Sequence, residues 1–173
     1  SGKPLSIGWL AREIRSLTAD DKEEAQLAQQ LFDLVEVCMQ MPLWNGQSLD
    51  SALPYKVRAE VPFLLKDRSE MLLGWKGSID AVFEADGELI LIDWKTHDLG
   101  SQPEDYASVQ LKRCIEEGDY HLQARLYLAA ARTAGWRGKK GPPCTFLFVF
   151  IRGLQIGVPA IVAVSEEELH THG

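Results

Sequence analysis

Two apolar, strand-like runs joined by Asp86-Gly87 constrain the fold of this chain more than any other feature. The stretch from residue 77 to residue 96 reads GSIDAVFEADGELILIDWKT. An Asp-Gly pair between two apolar runs is a strong signal for a β-hairpin with a two-residue turn, which pairs Ala85 with Glu88. The sequence therefore predicts two long antiparallel strands at the centre of the fold.

The predicted hairpin brings two carboxylates together. Counting outward from the turn places Asp80 opposite Asp93, and Ser78 opposite Lys95. Directly opposed side chains share a face of the sheet, with Cβ atoms about 4.5–5.5 Å apart, and two like charges there are destabilising unless something offsets them. A divalent cation is one such offset, because hard Mg²⁺ and Mn²⁺ prefer carboxylate oxygens. An ion pair with Lys95 is another, and a shifted register would separate the two acids.

The rest of the chain predicts a single α/β (α+β) domain. Apolar spacing and boundary residues predict helices at 5–17, 18–41, 101–117 and 119–134, and strands at 56–66, 71–85, 88–96, 144–152 and 155–164. Residues 43–55 read as a loop, and Asp119 is a candidate cap for the last helix. This order of elements predicts a central mixed sheet covered by helices, and 173 residues suit one domain.

Composition narrows the class of protein. The net charge of −7 argues against broad non-specific adhesion to nucleic acid, although it leaves room for a nucleic-acid enzyme whose metal site needs acids. The three cysteines, Cys38, Cys114 and Cys144, lie too far apart for metal-ligand or redox spacing, which favours free thiols in the cytoplasm. No apolar run reaches membrane-spanning length, so we expect no membrane partner.

Three short motifs follow one another in a fixed order: GSID at 77–80, DWKT at 93–96 and QARLY at 123–127. They resemble the G-x-I-D, D-Y/W-K-T/S and Q-x-x-x-Y motifs of the RecB-type nuclease family, which belongs to the PD-(D/E)xK superfamily. EVPF at 60–63 is similar to the family's E-x-P-F strand, and FVFIRG at 148–153 to a strand near the end of its C-terminal nuclease domain. The resemblance covers about residues 57 to 160.

The resemblance implies a restriction-endonuclease-like fold and an exonuclease-like deoxyribonuclease that depends on Mg²⁺ or Mn²⁺. In such an enzyme Asp80 and Asp93 hold the metal, together with the backbone carbonyl of Trp94. Lys95 orients the attacking water and offsets charge on the phosphate, which agrees with the chemistry expected of a metal and an amine at a phosphoryl centre.

A helical stripe adds three further candidates. Tyr120, Gln123 and Tyr127 lie at i, i+3 and i+7, on one face of a predicted helix. In the family this helix borders the active site, so these residues would position the metal shell or contact the DNA strand. The alternative is that the two tyrosines belong to the core with their hydroxyl groups satisfied.

The resemblance also implies a context. The expected substrate is DNA, in single-stranded form, processed during the repair of double-strand breaks. We find no G-x-x-x-x-G-K-[ST] phosphate loop, so a helicase motor would lie elsewhere in the parent chain or in a complex with other subunits. We therefore expect residues 1–173 to be one nuclease domain excised from a longer helicase–nuclease chain.

The sequence departs from the family pattern at Arg12. The family carries a histidine there, in a G-x-x-x-H pattern on the first helix, as an additional metal ligand, and arginine cannot ligate a metal. Either the short helix is misaligned, or the site works without that ligand, or Arg12 pairs with the two acids in place of a cation. The last reading describes a catalytically inactive domain that serves protein interaction or DNA positioning.

Other basic and histidine residues are weaker candidates. Arg137, Lys139 and Lys140 form a small basic turn that either touches DNA or faces solvent. His97 follows the DWKT motif and is expected to be a loop residue or a substrate contact rather than a metal ligand. A stand-alone nuclease with an iron–sulfur cluster is a third class, which the missing cysteine cluster disfavours.

Overall fold

The computed structural model describes residues 21–52, 57–66, 74–143 and 145–166. Its helices are α1 (Asp21–Gln40), α2 (Leu49–Ala52), a 3₁₀ turn (Pro103–Tyr106), α3 (Ser108–Glu117), α4 (Tyr120–Thr133) and α5 (Ile151–Gln155). Its strands are β1 (Val57–Lys66), β2 (Gly74–Ala85), β3 (Glu88–Lys95), β4 (Thr145–Phe150) and β5 (Ile161–Ser165).

The five strands form one sheet in the order β1-β2-β3-β4-β5. Strands β3 and β4 are parallel, and the other neighbouring pairs are antiparallel. Residues 89–93 of β3 are all buried, as expected for a central strand covered on both faces. The predicted mixed sheet flanked by helices is therefore confirmed.

The central hairpin has the predicted register up to Ala81 and Ile92, but the predicted pairs Asp80–Asp93 and Ser78–Lys95 are not part of the β2–β3 ladder, and Ser78 pairs with Pro62 of β1. Pairing runs from Ala85 and Glu88 at the turn to Ala81 and Ile92. Asp86 and Gly87 have φ values of 51° and 85°, the two positive angles that a tight hairpin turn requires. The backbone chemistry of the Asp-Gly pair thus sets which residues of β2 and β3 face each other.

Helices cover both faces of the sheet. On one face α3 and α4 pack against a core that includes Leu111, Ile115, Leu128, Phe146 and Phe148. On the other face, α5 and the segment after α1 pack against a second core that includes Leu43, Phe83, Ile92, Leu147 and Leu154. The two cores account for the nearly uninterrupted apolar character of β3 and β4.

The outer strand pair contains one residue with an unusual backbone angle. Ala59 pairs with Ala81 and Val61 pairs with Ile79, while Glu60 between them has a positive φ of 51°. Such a backbone angle is uncommon for a residue other than glycine and marks a local kink. Next to it, Val61 packs against the first core, on the face that α3 and α4 cover.

Four local predictions were wrong. The predicted helix at 101–117 is divided at Ala107, which is extended (φ −61°, ψ 151°) between the 3₁₀ turn and α3. The predicted strand at 155–164 begins only at Ile161, because Gln155 ends α5 and residues 156–160 form a turn and an irregular segment. The predicted loop at 43–55 contains the short helix α2. Asp119 makes no capping hydrogen bond, since its backbone has a left-handed φ of 52°.

Some predictions lie outside the described residues. These are the helix at 5–17 with Arg12, and Cys144. Among the helices that are described, none has both the length and the apolar character needed to cross a membrane.

Candidate active site

The site forms where the β2–β3 ladder ends. Beyond the Ala81–Ile92 pair, the Asp80 carboxylate accepts a hydrogen bond from the backbone N–H of Trp94, at 2.8 Å. A ladder that continued in the same register would give that N–H to a backbone carbonyl. Asp80 therefore replaces a backbone partner, and this bond fixes its carboxylate beside the start of the DWKT motif.

Asp93 is a buried carboxylate with two different neighbours. It is 5% exposed. Its Oδ1 accepts a hydrogen bond from Gln123 Nε2 at 2.5 Å, and its Oδ2 lies 2.7 Å from Lys95 Nζ. The Lys95 contact is a close ion pair, but no described group donates an aligned hydrogen bond to Oδ2.

The surroundings of Asp93 favour its protonated form. Burial raises the pKa of this carboxyl above its usual value, and the nearby negative charge of Asp80 raises it further. Lys95 and Gln123 act in the opposite direction by stabilising the carboxylate, yet the net direction is upward. An additional cation would relieve this cost, so the electrostatics of the site favour positive charge next to Asp93.

Lys95 is held from three sides. It is 8% exposed, and its ammonium pairs with Asp93 and donates to Gln123 Oε1 at 2.9 Å. It also lies 3.5 Å from the centroid of the Tyr120 ring and 5.3 Å from that of Phe148, within cation–π range. Long amines are rarely buried unless they are paired, so these contacts explain why Lys95 stays at the sheet.

Gln123 closes the network from helix α4. Its amide donates to Asp93 through nitrogen and accepts from Lys95 through oxygen, so one side chain holds both groups. A carboxylate at this position would offer no donor to Asp93, and an amine would offer no acceptor to Lys95. The role predicted for Gln123 as a positioning residue has this geometric support.

The family-like motifs also pack against one another. A methyl group on Gly77 would come within 2.8 Å of Phe63 Cε1, so the glycine makes room for that ring. Phe63 in turn meets Tyr127 edge to face, with ring centroids 5.1 Å apart. The EVPF, GSID and QARLY segments are thus joined by one aromatic contact, and Tyr127 belongs to the partly buried rim of the core.

The arrangement suits a hard divalent cation. Asp80 and Asp93 supply carboxylate oxygens, and Asp93 Oδ2 is a buried oxygen whose close neighbour is the Lys95 ammonium at 2.7 Å. Mg²⁺ typically takes one or two protein carboxylates and leaves the remaining positions to water and phosphate. In the part of the chain that the structure describes, no group of three or more histidine, cysteine or acidic side chains has metal-binding geometry.

Sequence reasoning missed the pairing of His97 with Tyr120. His97 Nε2 lies 2.9 Å from the Tyr120 hydroxyl, and the two rings meet edge to face. The residues are far apart in sequence, and only the turn of the chain after β3 brings them together. No local pattern signals such a contact.

The basic turn does not border the two acids. The Lys140 N–H donates to the Gly87 carbonyl at 2.8 Å, and its ammonium pairs with Glu88 at 3.2 Å. It therefore packs against the turn end of the β2–β3 hairpin, whereas Lys95 is the last residue of β3. The length of β3 therefore separates the basic turn from Lys95.

A model of the PD-(D/E)XK nuclease superfamily matches residues 8–171, and the chain belongs to this superfamily. Nucleases of this superfamily generally use divalent metal ions. The expected resemblance to RecB-type nucleases is confirmed by relatives described as RecBCD enzyme subunit RecB. Those of Chlamydia muridarum and Chlamydia trachomatis are 33% and 35% identical over 115 residues, 66% of this chain. That of Chlamydia pneumoniae is 31% identical over 121 residues, 70% of this chain. In each case the matched region is 11% of the relative's length.

Proposed function

We propose that this chain is a DNA nuclease domain that hydrolyses phosphodiester bonds with the help of Mg²⁺ or Mn²⁺. The observation that carries the proposal is the meeting of Asp80, Asp93 and Lys95 at one end of the sheet, where Gln123 ties the last two together. Membership of the superfamily supports the same reaction.

Each residue has a distinct part in the proposed reaction. Asp80, Asp93 and the backbone carbonyl of Trp94 would hold the cation. Such a cation supplies Lewis acidity at the phosphate and lowers the pKa of a bound water. Lys95 places a fixed positive charge next to the acids, where charge develops on the phosphate oxygens. Its ammonium would turn one hydrogen from Asp93 to the attacking water once a cation is bound beside that carboxylate.

The network around Lys95 keeps that charge oriented. Gln123 accepts one of the ammonium hydrogens, and the Tyr120 ring lies against the same group. Preorganised donors cost no reorganisation when the reaction occurs, which is why enzymes fix them in advance. Gln123 and Tyr120 are positioning residues in this scheme, while Tyr127 supports the β1–β2 pair through Phe63.

The relatives support a wider context for the domain. Since the match covers about a tenth of proteins described as a RecBCD subunit, we place this domain in a RecB-like helicase–nuclease that acts in double-strand-break repair. A motor in the parent chain or complex would deliver single-stranded DNA, and other subunits would share the work of binding it. The net charge of −7 suits a domain that relies on partners to hold the DNA backbone.

A second function, a non-catalytic module for protein interaction or DNA positioning, is favoured by one contact in the structure and one residue in the sequence. Lys95 already neutralises much of the Asp93 charge at 2.7 Å, so the site is electrostatically satisfied in part without a cation. Arg12, in the position of the family histidine, points to the same reading.

Cleavage of end-labelled single- and double-stranded DNA in Mg²⁺ or Mn²⁺ separates the two functions. We expect cleavage by the wild type and a loss of about a hundredfold or more in Asp93→Ala and Lys95→Ala. The matched controls are Asp98→Ala and Lys112→Ala, which remove exposed groups of the same charges. Absence of cleavage by the folded chain, with no Mn²⁺ binding by calorimetry, would establish the non-catalytic function instead.

A further inference from the structure

An open cavity of about 580 Å³ adjoins the candidate active site through the Tyr120 ring. Tyr120 lines the cavity, and the same ring lies 3.5 Å from Lys95 Nζ. The cavity begins after the end of β3 and is bounded on another side by α3. Ligands of sheets with parallel strands gather beyond the carboxyl ends of those strands, and sites of roughly 300–1,000 Å³ accept small molecules.

One wall of the cavity is aromatic and partly open to solvent. His97 is exposed, and its Nε2 is hydrogen bonded to the Tyr120 hydroxyl at 2.9 Å, which fixes the two rings relative to each other. The His97 ring also lies 6.3 Å from the ring of Phe150 at the end of β4. A rigid pair of rings beside open space is the kind of surface on which a nucleobase stacks.

The charges in the wall argue against a phosphate as the occupant. Among the described residues that line the cavity, Arg113 is already paired with Glu117 at 2.7 Å. The Asp105 carboxylate accepts the backbone N–H of Gln102 at 2.9 Å and adds negative charge. What remains is an uncharged donor and acceptor, the exposed amide of Gln110. The lining therefore suits a neutral group with polar edges.

We infer that this cavity binds the base and sugar of one nucleotide next to the phosphate that is cut. Because the His97 and Tyr120 rings stand at 74° to each other, the base stacks on one ring and meets the other at its edge. This inference rests on the proposed function, since it takes the DNA strand to pass over Lys95. A base that enters the cavity must be unpaired and unstacked from its neighbours, which costs least in a single strand. The cavity thus gives the domain its own preference for single-stranded DNA.

The first test is binding, which does not depend on cleavage. We would titrate the ¹⁵N-labelled chain with dTMP, and separately with a short oligothymidylate in Ca²⁺, and follow the amide signals of Gly118 and Gln110 by NMR. We expect both signals to shift with the oligonucleotide, and the shifts to be lost in His97→Ala. We expect Gln110→Ala, which removes the amide from the cavity wall, to weaken the shift of Gly118, and Gln30→Ala, which removes an exposed glutamine on α1, to leave it unchanged.

The second test locates the nucleoside on the strand. A single abasic nucleotide is moved along a single-stranded substrate, and kcat/KM is measured at each position. We expect one position next to the cut to lose about five- to a hundredfold in the wild type, the range expected for one stacked base. In His97→Ala the loss at that position should shrink, while the losses elsewhere stay unchanged.

The outcomes separate this inference from the proposed function. If the chain cleaves DNA but shows neither the amide shifts nor a position-specific abasic effect, the inference about the cavity is wrong and the proposed nuclease function stands. If the oligonucleotide shifts the Gly118 signal but no DNA is cleaved, nucleotide binding in the cavity is supported and the proposed nuclease function is wrong. Shifts with dTMP but none with the oligonucleotide would mean that the cavity takes a free nucleotide, and the inference about the DNA strand would be wrong.

Discussion

Replacing Gln123 by leucine tests whether one amide holds the two charged groups of the site together. The substitution keeps the size and helical preference of the side chain but removes both of its hydrogen bonds, to Asp93 Oδ1 at 2.5 Å and from Lys95 Nζ at 2.9 Å. Helix α4 itself should persist, because leucine is a strong helix former.

The size of the effect follows from what the two groups lose. A hydrogen bond to a charged group contributes about 1.5–3 kcal/mol, and a buried charged partner left unsatisfied costs more than an exposed one. Asp93 and Lys95 are both nearly buried and keep their mutual ion pair, which recovers part of the loss. We therefore expect Gln123→Leu to lower the free energy of unfolding by about 2–4 kcal/mol.

Urea denaturation of Gln123→Leu, Asp93→Asn and the double variant measures the coupling directly. Residues in one hydrogen-bond network show coupling energies of about 0.5–3 kcal/mol in such a cycle. Gln30→Ala should stay within about 0.5 kcal/mol of the wild type, as exposed positions usually do. A loss below about 0.5 kcal/mol for Gln123→Leu, with additive effects in the double variant, would refute the role given to this amide.

Three further predictions follow from close contacts and from burial. Gly77→Ala should lower the free energy of unfolding by about 1–3 kcal/mol, because its methyl group would come within 2.8 Å of Phe63. Thermal denaturation measures this loss, which should be smaller when Gly77→Ala is made in a Phe63→Leu background. Gly118→Ala would bring a methyl group to 2.6 Å from the Tyr120 ring and should slow DNA cleavage. In a Tyr120→Ala background the same substitution should change the cleavage rate little, and an equal loss of rate in both backgrounds would contradict this reasoning. The pKa of Asp93 is raised in the folded state, so the protonated carboxyl stabilises the fold more than the carboxylate does. The free energy of unfolding of the wild type, compared with that of Asp93→Asn between about pH 3 and pH 7, should therefore be largest below the unfolded pKa and fall as the pH rises through the folded pKa. A rise over that range would show that the pKa is lowered instead.

The sequence was sufficient for the part of the site that is encoded locally. The Asp86-Gly87 turn requires two positive φ angles and sets the register of β2 and β3, so the neighbourhood of Asp80 and Asp93 could be counted from the turn. The count was right as far as the ladder extends. Counting from the turn gave no indication that the ladder ends at Ala81 and Ile92, one pair before Asp80 and Asp93, or that the Asp80 carboxylate accepts the hydrogen bond of the Trp94 N–H.

The parts that were not predicted depend on distant contacts. Residues 155–164 read as a strand from their apolar and β-branched content, yet the chain first makes a helical turn and folds back on itself. A methyl group on Gly153 would come within 2.3 Å of Ala160 Cβ and 2.8 Å of the Tyr106 ring, so the tight return depends on glycine at that position. Neither neighbour of Gly153 is visible in a short window of sequence, and the predicted strand was therefore too long.

Asp93 connects the chemistry of the site with its stability. Burial and Asp80 raise its pKa, which makes a nearby positive charge favourable, and Lys95 provides that charge at 2.7 Å. In the proposed function a cation next to Asp93 would take over this role, and Lys95 would then be less tightly paired. Gln123 and the Tyr120 ring would still hold the ammonium near the phosphate. Gln123 and the Tyr120 ring thus hold the lysine both with and without a cation, and in this way a buried amine would serve the proposed reaction at the edge of the fold.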